Sequence, residues 1–234
     1  MIKKKKLTFA EHSRKLLDEE TPFAIRESFN QLRTNIMYSA KPESGCPVYG
    51  ITSAGESAGK STVIANLAAS FTSVYKKVLL VDADMRCPTI HKFFGLEKNT
   101  KGLSELLSGI ATDDSEVINK VYDNSLNLIT SGCIPPNPSE LLSSVRMEEI
   151  MEQMSKDYDF ILVDLPPVTV VSDTVAVSKL LDGVILVVRG NADATDGAIN
   201  AMEPLYYELL PLTLEEIFIT EMEVLGYDTQ QLIY

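Results

Sequence analysis

The chain has 234 residues, 45% of them hydrophobic, and a formal net charge of −12. That length and apolar share suit one large core, and the acidic balance argues against general nucleic-acid binding, whose footprint is clustered positive charge. Cys46, Cys87 and Cys133 lie far apart with no paired spacing, which fits reduced thiols rather than a disulfide frame or a zinc site.

The chain begins with one basic run, Lys3-Lys4-Lys5-Lys6. It reads as a solvated end or as weak attraction to an anionic membrane face. No apolar run approaches the length of about 20 residues that spans a bilayer. No signal peptide is visible after the basic start, so a cytoplasmic protein is expected. Thr21-Pro22 reads as a helix start, with Thr21 capping and Pro22 at the first helical position. Phe29, Leu32 and Ile36 follow at three- and four-residue spacing, predicting an amphipathic helix to about Ala40. Residues 42–47 form a connector.

From Val48 the pattern changes. An apolar run, Val48 to Thr52, leads into a glycine-bearing loop, and Ser61 to Phe71 reads as a helix. Lys77 to Asp82 is a buried strand, Gly102 to Leu107 a short helix and Leu126 to Thr130 a strand. Ser139 to Ser144 and Met147 to Lys156 look helical. Phe160 to Asp164 and Val184 to Val188 are apolar without alternation, so both faces of these strands are expected to be covered. Thr195 to Leu209 reads as a helix and Ile217 to Thr220 as a last strand. Strands alternating with helices indicate an α/β fold of the P-loop NTPase type, a mostly parallel central sheet flanked by helices on both faces. Ligands in such sheets bind beyond the carboxyl ends of the strands.

The loop is Ala54-Gly55-Glu56-Ser57-Ala58-Gly59-Lys60-Ser61-Thr62, a complete phosphate-binding pattern between a strand and a helix. Backbone N–H groups and the following helix N-terminus make a cradle for phosphate oxygens. Lys60 is placed to reach the outer phosphates, and the Ser61 hydroxyl to ligate Mg²⁺. Asp164 ends an apolar strand, as the second Mg²⁺-side acid of such enzymes does. Asp82 and Asp84 lie two apart at another strand tip, on one side of the chain. Two carboxylates there repel each other and need cations, which Mg²⁺ and Arg86 are expected to supply. Asp82 is then a metal-side carboxylate, and Asp84 a group that accepts a proton from an incoming hydroxyl. A structural role for the pair, in capping or in a salt bridge to Arg86, stays open.

The strand ending Asp82-Ala83-Asp84-Met85-Arg86 resembles the second Walker-A-like box of the bacterial tyrosine kinases that control capsule and exopolysaccharide production. Gly132 to Leu142 is similar to that family's Pro-Pro-Asn-Pro segment, Asp164-Leu165-Pro166-Pro167 to its Walker B strand end, and Glu27 to Asn35 to its oligomerisation helix. The resemblance implies a kinase that uses ATP and Mg²⁺ to phosphorylate tyrosines, its own C-terminal cluster first. It implies a split type, activated by a separate transmembrane partner of the polysaccharide co-polymerase type and recruited to the inner face of the cell membrane. It also implies a homo-oligomeric ring in which Glu27 and Arg33 meet a neighbouring subunit.

The chain departs from the family in places. Asn30 stands where the helix motif has its first arginine, and only Tyr227 and Tyr234 remain near the end as phosphoacceptor candidates. The implied organisation is an N-terminal segment with the oligomerisation helix over 1–47, a kinase domain over 48–222 and a tail over 223–234. Two other readings stand beside the kinase: an ATPase switch, which usually carries a lysine where Gly55 stands, and a non-catalytic regulator of polysaccharide polymerisation or export.

Overall fold

The apolar runs at Val48–Ser53 (β1), Val78–Asp82 (β2) and Phe160–Asp164 (β5) are buried at every residue, as strands covered on both faces must be. They are the centre of a six-stranded sheet completed by Ile118–Val121 (β3), Leu126–Ile129 (β4) and Gly183–Val187 (β6), in the order β3-β4-β2-β5-β1-β6. All neighbours are parallel except β3 and β4. The computed structural model describes residues 16–18, 21–39, 45–55, 58–123, 125–168 and 173–188. The lysine run, the helix expected over Thr195 to Leu209, the strand expected over Ile217 to Thr220, and Tyr227 and Tyr234 lie outside those residues.

Alternation along each strand sorts the core into two layers. Leu80, Phe160, Leu162 and Ile51 face one side, where helix α1 (Phe23–Ser39) and helix α2 (Lys60–Phe71) pack on each other. There Ile25, Phe29, Leu32 and Ile36 of α1 meet a layer that includes Ile64, Leu67 and Phe71 of α2, and the Phe71 and Phe160 rings stack 4.0 Å apart. Leu79, Val81, Ile161 and Val163 face the other side. They meet helix α3 (Leu103–Leu107) and helix α5 (Val145–Asp157) through Leu103, Leu106, Met147, Ile150, Met151 and Met154. Two short helices, α4 (Pro138–Leu142) and α6 (Asp173–Ser178), pack together beyond the carboxyl ends of the strands. The α/β architecture with helices on both faces is therefore as the sequence indicated.

Three details differ. Thr21 does not cap α1: its hydroxyl donates to Asp18 Oδ1 at 2.8 Å and accepts from the Asp18 N–H at 3.0 Å. The helix starts one residue after Pro22, whose carbonyl accepts from the N–H groups of Ile25 and Arg26. β6 is only half-buried over Gly183 to Leu186, because among the described residues it is an edge strand paired with β1 alone. β3 was not anticipated. It is four residues long and half polar, and it turns into β4 through Tyr122 and Asp123, whose φ angles of 51° and 52° carry no glycine signal in the sequence. The Tyr122 hydroxyl donates to the Leu17 carbonyl at 3.0 Å, a distant contact that helps hold this turn.

Candidate active site

β1 delivers the chain into the phosphate loop. Ser53 Oγ donates to the Gly55 carbonyl at 2.7 Å, which tightens the entrance. Glu56 and Ser57 lie outside the described residues. Gly59 has φ 90°, a left-handed conformation at the cap of α2 where a side chain would be strained. Its carbonyl accepts from the Val63 N–H at 3.0 Å, so the helix begins directly at Lys60. The first N–H groups of such a helix have no partner within it, and they attract anions.

The acids arrive from two adjacent strands. Asp82 ends β2 and Asp164 ends β5, and the parallel register sets them side by side. Lys60, from the first turn of α2, reaches across. Its Nζ lies 2.6 Å from Asp164 Oδ1 and 3.3 Å from Asp84 Oδ2, with all three side chains 8% exposed or less. Burial works against the Lys60 ammonium, but Asp164, Asp84 and Asp82 outweigh it and raise its pKa. Ser61 Oγ donates to Asp164 Oδ2 at 3.3 Å and accepts from the Thr89 hydroxyl at 2.8 Å. The structure therefore brings Lys60, Ser61, Asp82, Asp84 and Asp164 into one cluster at the carboxyl ends of the strands.

This cluster is short of positive charge. Three carboxylates share one ammonium in a buried space. Asp82 is the extreme case: Oδ1 accepts from the Asp84 N–H at 3.2 Å, while Oδ2 is buried without a partner among the described residues. Burial first, then the neighbouring Asp164, push the Asp82 carboxyl well above its usual range against the pull of Lys60. Burial also raises Asp164, with Lys60 opposing it. A buried oxygen with no donor, next to a second carboxylate and a hydroxyl, fits a divalent cation. Among the described residues no group of three or more His, Cys, Asp or Glu could hold a metal ion. Mg²⁺ suits such a place, because it binds through one or two carboxylates and completes its octahedron with phosphate oxygens and water.

Arg86 departs from expectation. It makes no ion pair with Asp82 or Asp84, and Asp84 acts on it only through space. Its Nε and Nη2 donate to Asp173 Oδ2 and Oδ1 at 2.8 and 3.2 Å, and Nη2 also donates to Ser139 Oγ at 3.1 Å. Lys60 is the cation of the acid cluster instead, because α2 carries it into the space between the strand tips. Arg33 Nη1 donates to the Ser70 carbonyl, Ser70 Oγ and Ser73 Oγ of its own chain at 2.7, 2.8 and 2.7 Å. Glu27 is exposed, and Asn30 Nδ2 donates to it at 3.5 Å. Thr89, Ser139 and Asp173 were missed. Asp173 lies 87 residues from Arg86, and no local spacing signals that pair.

A family model described as an AAA domain matches residues 53–207. The chain is 39% identical to tyrosine-protein kinase YwqD of Bacillus subtilis over 179 residues, which is 76% of this chain and 74% of that one. Among solved structures, it is similar to the chimerical protein CapA2B2, with a TM-score of 0.72 and 36% identity over 81% of this chain and 86% of that one. It is also similar to the kinase domain of Escherichia coli tyrosine kinase ETK, with a TM-score of 0.70 and 34% identity over 76% and 70% of the two chains.

Proposed function

This chain belongs to the bacterial tyrosine-protein kinases of capsule and exopolysaccharide biosynthesis, and we infer that its acid cluster transfers the γ-phosphoryl group of MgATP to tyrosine hydroxyls. The observation that carries this assignment of residues is the buried, unpartnered Asp82 oxygen beside Asp164, with the phosphate-loop lysine paired to Asp164 and Asp84. The N–H groups around Gly59 and the α2 N-terminus hold the phosphates. Ser61, Asp82 and Asp164 hold Mg²⁺, which neutralises charge on the phosphate oxygens when bound. Phosphate oxygens compete with Asp84 and Asp164 for the Lys60 ammonium. Once Lys60 turns to them, Asp84 is free to accept the proton that the tyrosine hydroxyl loses as its oxygen bonds to phosphorus and the bond to the leaving diphosphate breaks.

The first substrates on this reading are the chain's own Tyr227 and Tyr234. The chain is taken to work as a homo-oligomer through the exposed face of α1, which carries Glu27, and to be switched on by the tail of a separate membrane protein of the polysaccharide co-polymerase type. Among the described residues no helix is long and apolar enough to cross a membrane, so recruitment to the membrane through such a partner is consistent with the chain.

The test is to incubate the full chain with MgATP, with and without the candidate partner's cytosolic tail, and to probe for phosphotyrosine. Label is expected on the wild type and none on Lys60→Met or Asp82→Ala. An unlabelled wild type that still binds ATP refutes the kinase reading and favours a non-catalytic regulator. Label persisting in both variants refutes the site.

A further inference from the structure

Arg86 makes no hydrogen bond with the acids it was expected to neutralise, yet it is firmly held. Its guanidinium makes a two-point contact with Asp173, a carboxylate whose side chain is 1% exposed, while Arg86 itself is 42% exposed. Ser139 closes the triad: its hydroxyl donates to Asp173 Oδ1 and accepts from Arg86 Nη2. The three residues come from three segments beyond the carboxyl ends of the strands. Arg86 lies in the turn after β2, Ser139 in α4 and Asp173 at the start of α6.

The turn that Arg86 occupies also aims the acids. Asp82 Oδ1 accepts from the Asp84 N–H, and Asp84 Oδ1 accepts from the Cys87 N–H at 3.1 Å. The Asp84 carboxylate is thus held on one oxygen by the backbone N–H just after Arg86 and on the other by Lys60 Nζ. Met85, just before it, is buried in the core, and Thr89, three residues on, donates to Ser61. Arg86 is the residue of this stretch whose side chain is held by an ion pair from outside the phosphate site.

We propose that Asp173 and Ser139 are positioning residues for phosphoryl transfer: they fix Arg86, and through the turn from Asp82 to Cys87 they hold the Asp84 carboxylate at the reacting hydroxyl. This rests on the kinase reading above. Two parallel hydrogen bonds from a guanidinium to a carboxylate fix direction as well as distance, and the triad ties the α4 and α6 segments to the same turn. A positional error of about 1 Å at a reacting group costs rates of about 100-fold. Loss of the anchor acts on the chemical step and leaves the nucleotide cradle, built on α2 and β1, in place.

The test uses the full chain in the phosphotyrosine assay, with ATP turnover, fluorescent-nucleotide binding in Mg²⁺ and thermal melts read alongside. Asp173→Ala and Arg86→Ala are expected to lower kcat by about 10- to 100-fold, with KM for ATP and nucleotide affinity within about twofold. The double variant is expected to be no worse than the worse single one, because the two side chains act as a unit. Asp173→Asn keeps an acceptor for Arg86 and is expected to recover part of the loss. Should the alanine variants fail to melt cooperatively, Ser139→Ala replaces a half-buried hydroxyl and still predicts a several-fold loss in kcat. A merely structural staple would lower the melting temperature and leave kcat of the folded protein intact. That outcome, multiplied effects in the double variant, or a rise in KM alone would overturn the proposal. A silent wild type would sink the kinase reading and the inference with it; an active wild type with unchanged variants would sink only the inference.

Discussion

Asp82 is fully buried, one of its oxygens has no donor, and a second carboxylate stands beside it at the tip of β5. Such an arrangement is costly in a resting protein, because buried charge is stable only when paired. A carboxyl raised in the folded state contributes its full stability below its unfolded value near 3.8, and loses it as pH rises toward the folded value. At neutral pH Asp82 therefore weakens the nucleotide-free fold, a cost that the cation proposed for this place would offset. Asp82→Asn keeps the shape and removes the charge. In thermal melts at about pH 7.5 without nucleotide or metal, the variant is expected to gain about 2–4 °C, the shift that corresponds to about 1 kcal/mol in a chain of this size. The gain should shrink near pH 5, and the stabilisation of wild type by Mg²⁺ with ATP should be lost. A variant less stable than wild type at neutral pH would show that Asp82 has a resting partner and contradict the assignment.

α1 shows how an element can be legible while its attachment is not. The spacing of Phe29, Leu32 and Ile36 located the helix, and all three side chains are buried with Ile25 in the layer over α2. Nothing local indicated that Arg33 would reach the carboxyl end of α2. There it meets the Ser70 carbonyl and the hydroxyls of Ser70 and Ser73, where a cation is favoured by unsatisfied carbonyls. Arg33→Ala is expected to cost about 1–2 kcal/mol, read by chemical denaturation. The loss should be the same at two protein concentrations a hundredfold apart, since the contacts are within one chain. A loss confined to the higher concentration would assign Arg33 to a contact between copies. The same contrast runs through the whole fold. β1, β2 and β5 were readable because buried parallel strands need unbroken apolar runs, and the phosphate loop because its backbone path needs glycine. β3, with Asn119 and Lys120 in four residues, lacks such a run because among the described residues it pairs along one edge alone. In the site, Lys60, Asp82 and Asp164 were readable at strand and helix ends. The partner of Arg86 was not, since Asp173 is brought to it only by the packing of α4 on α6.

At the scale of the whole molecule, net charge opposes the meeting of copies of this chain. Each copy carries a formal −12 before any modification. Phosphorylation of Tyr227 and Tyr234 would add about −3 to −4 more. Copies held together through charged and polar groups such as those on the exposed face of α1 would then repel each other more strongly, while their buried cores are unaffected. Autophosphorylation is therefore expected to shift the chain toward smaller assemblies. Mass-spectrometric mapping should find most of the label on Tyr227 and Tyr234, and the variant carrying Tyr227→Phe and Tyr234→Phe should lose most of it. In sedimentation, wild type treated with MgATP should move toward monomer, and the double variant should not. Because the effect is repulsion across solvent, it should fade when ionic strength is raised enough to shorten the screening length from about 10 Å at 0.1 M to about 3 Å at 1 M salt. Dissociation that persists undiminished in high salt would mean that phosphorylation acts by rearranging a contact rather than by adding charge. Undiminished label in the double variant would place the acceptors on other tyrosines, and with them the origin of any repulsion.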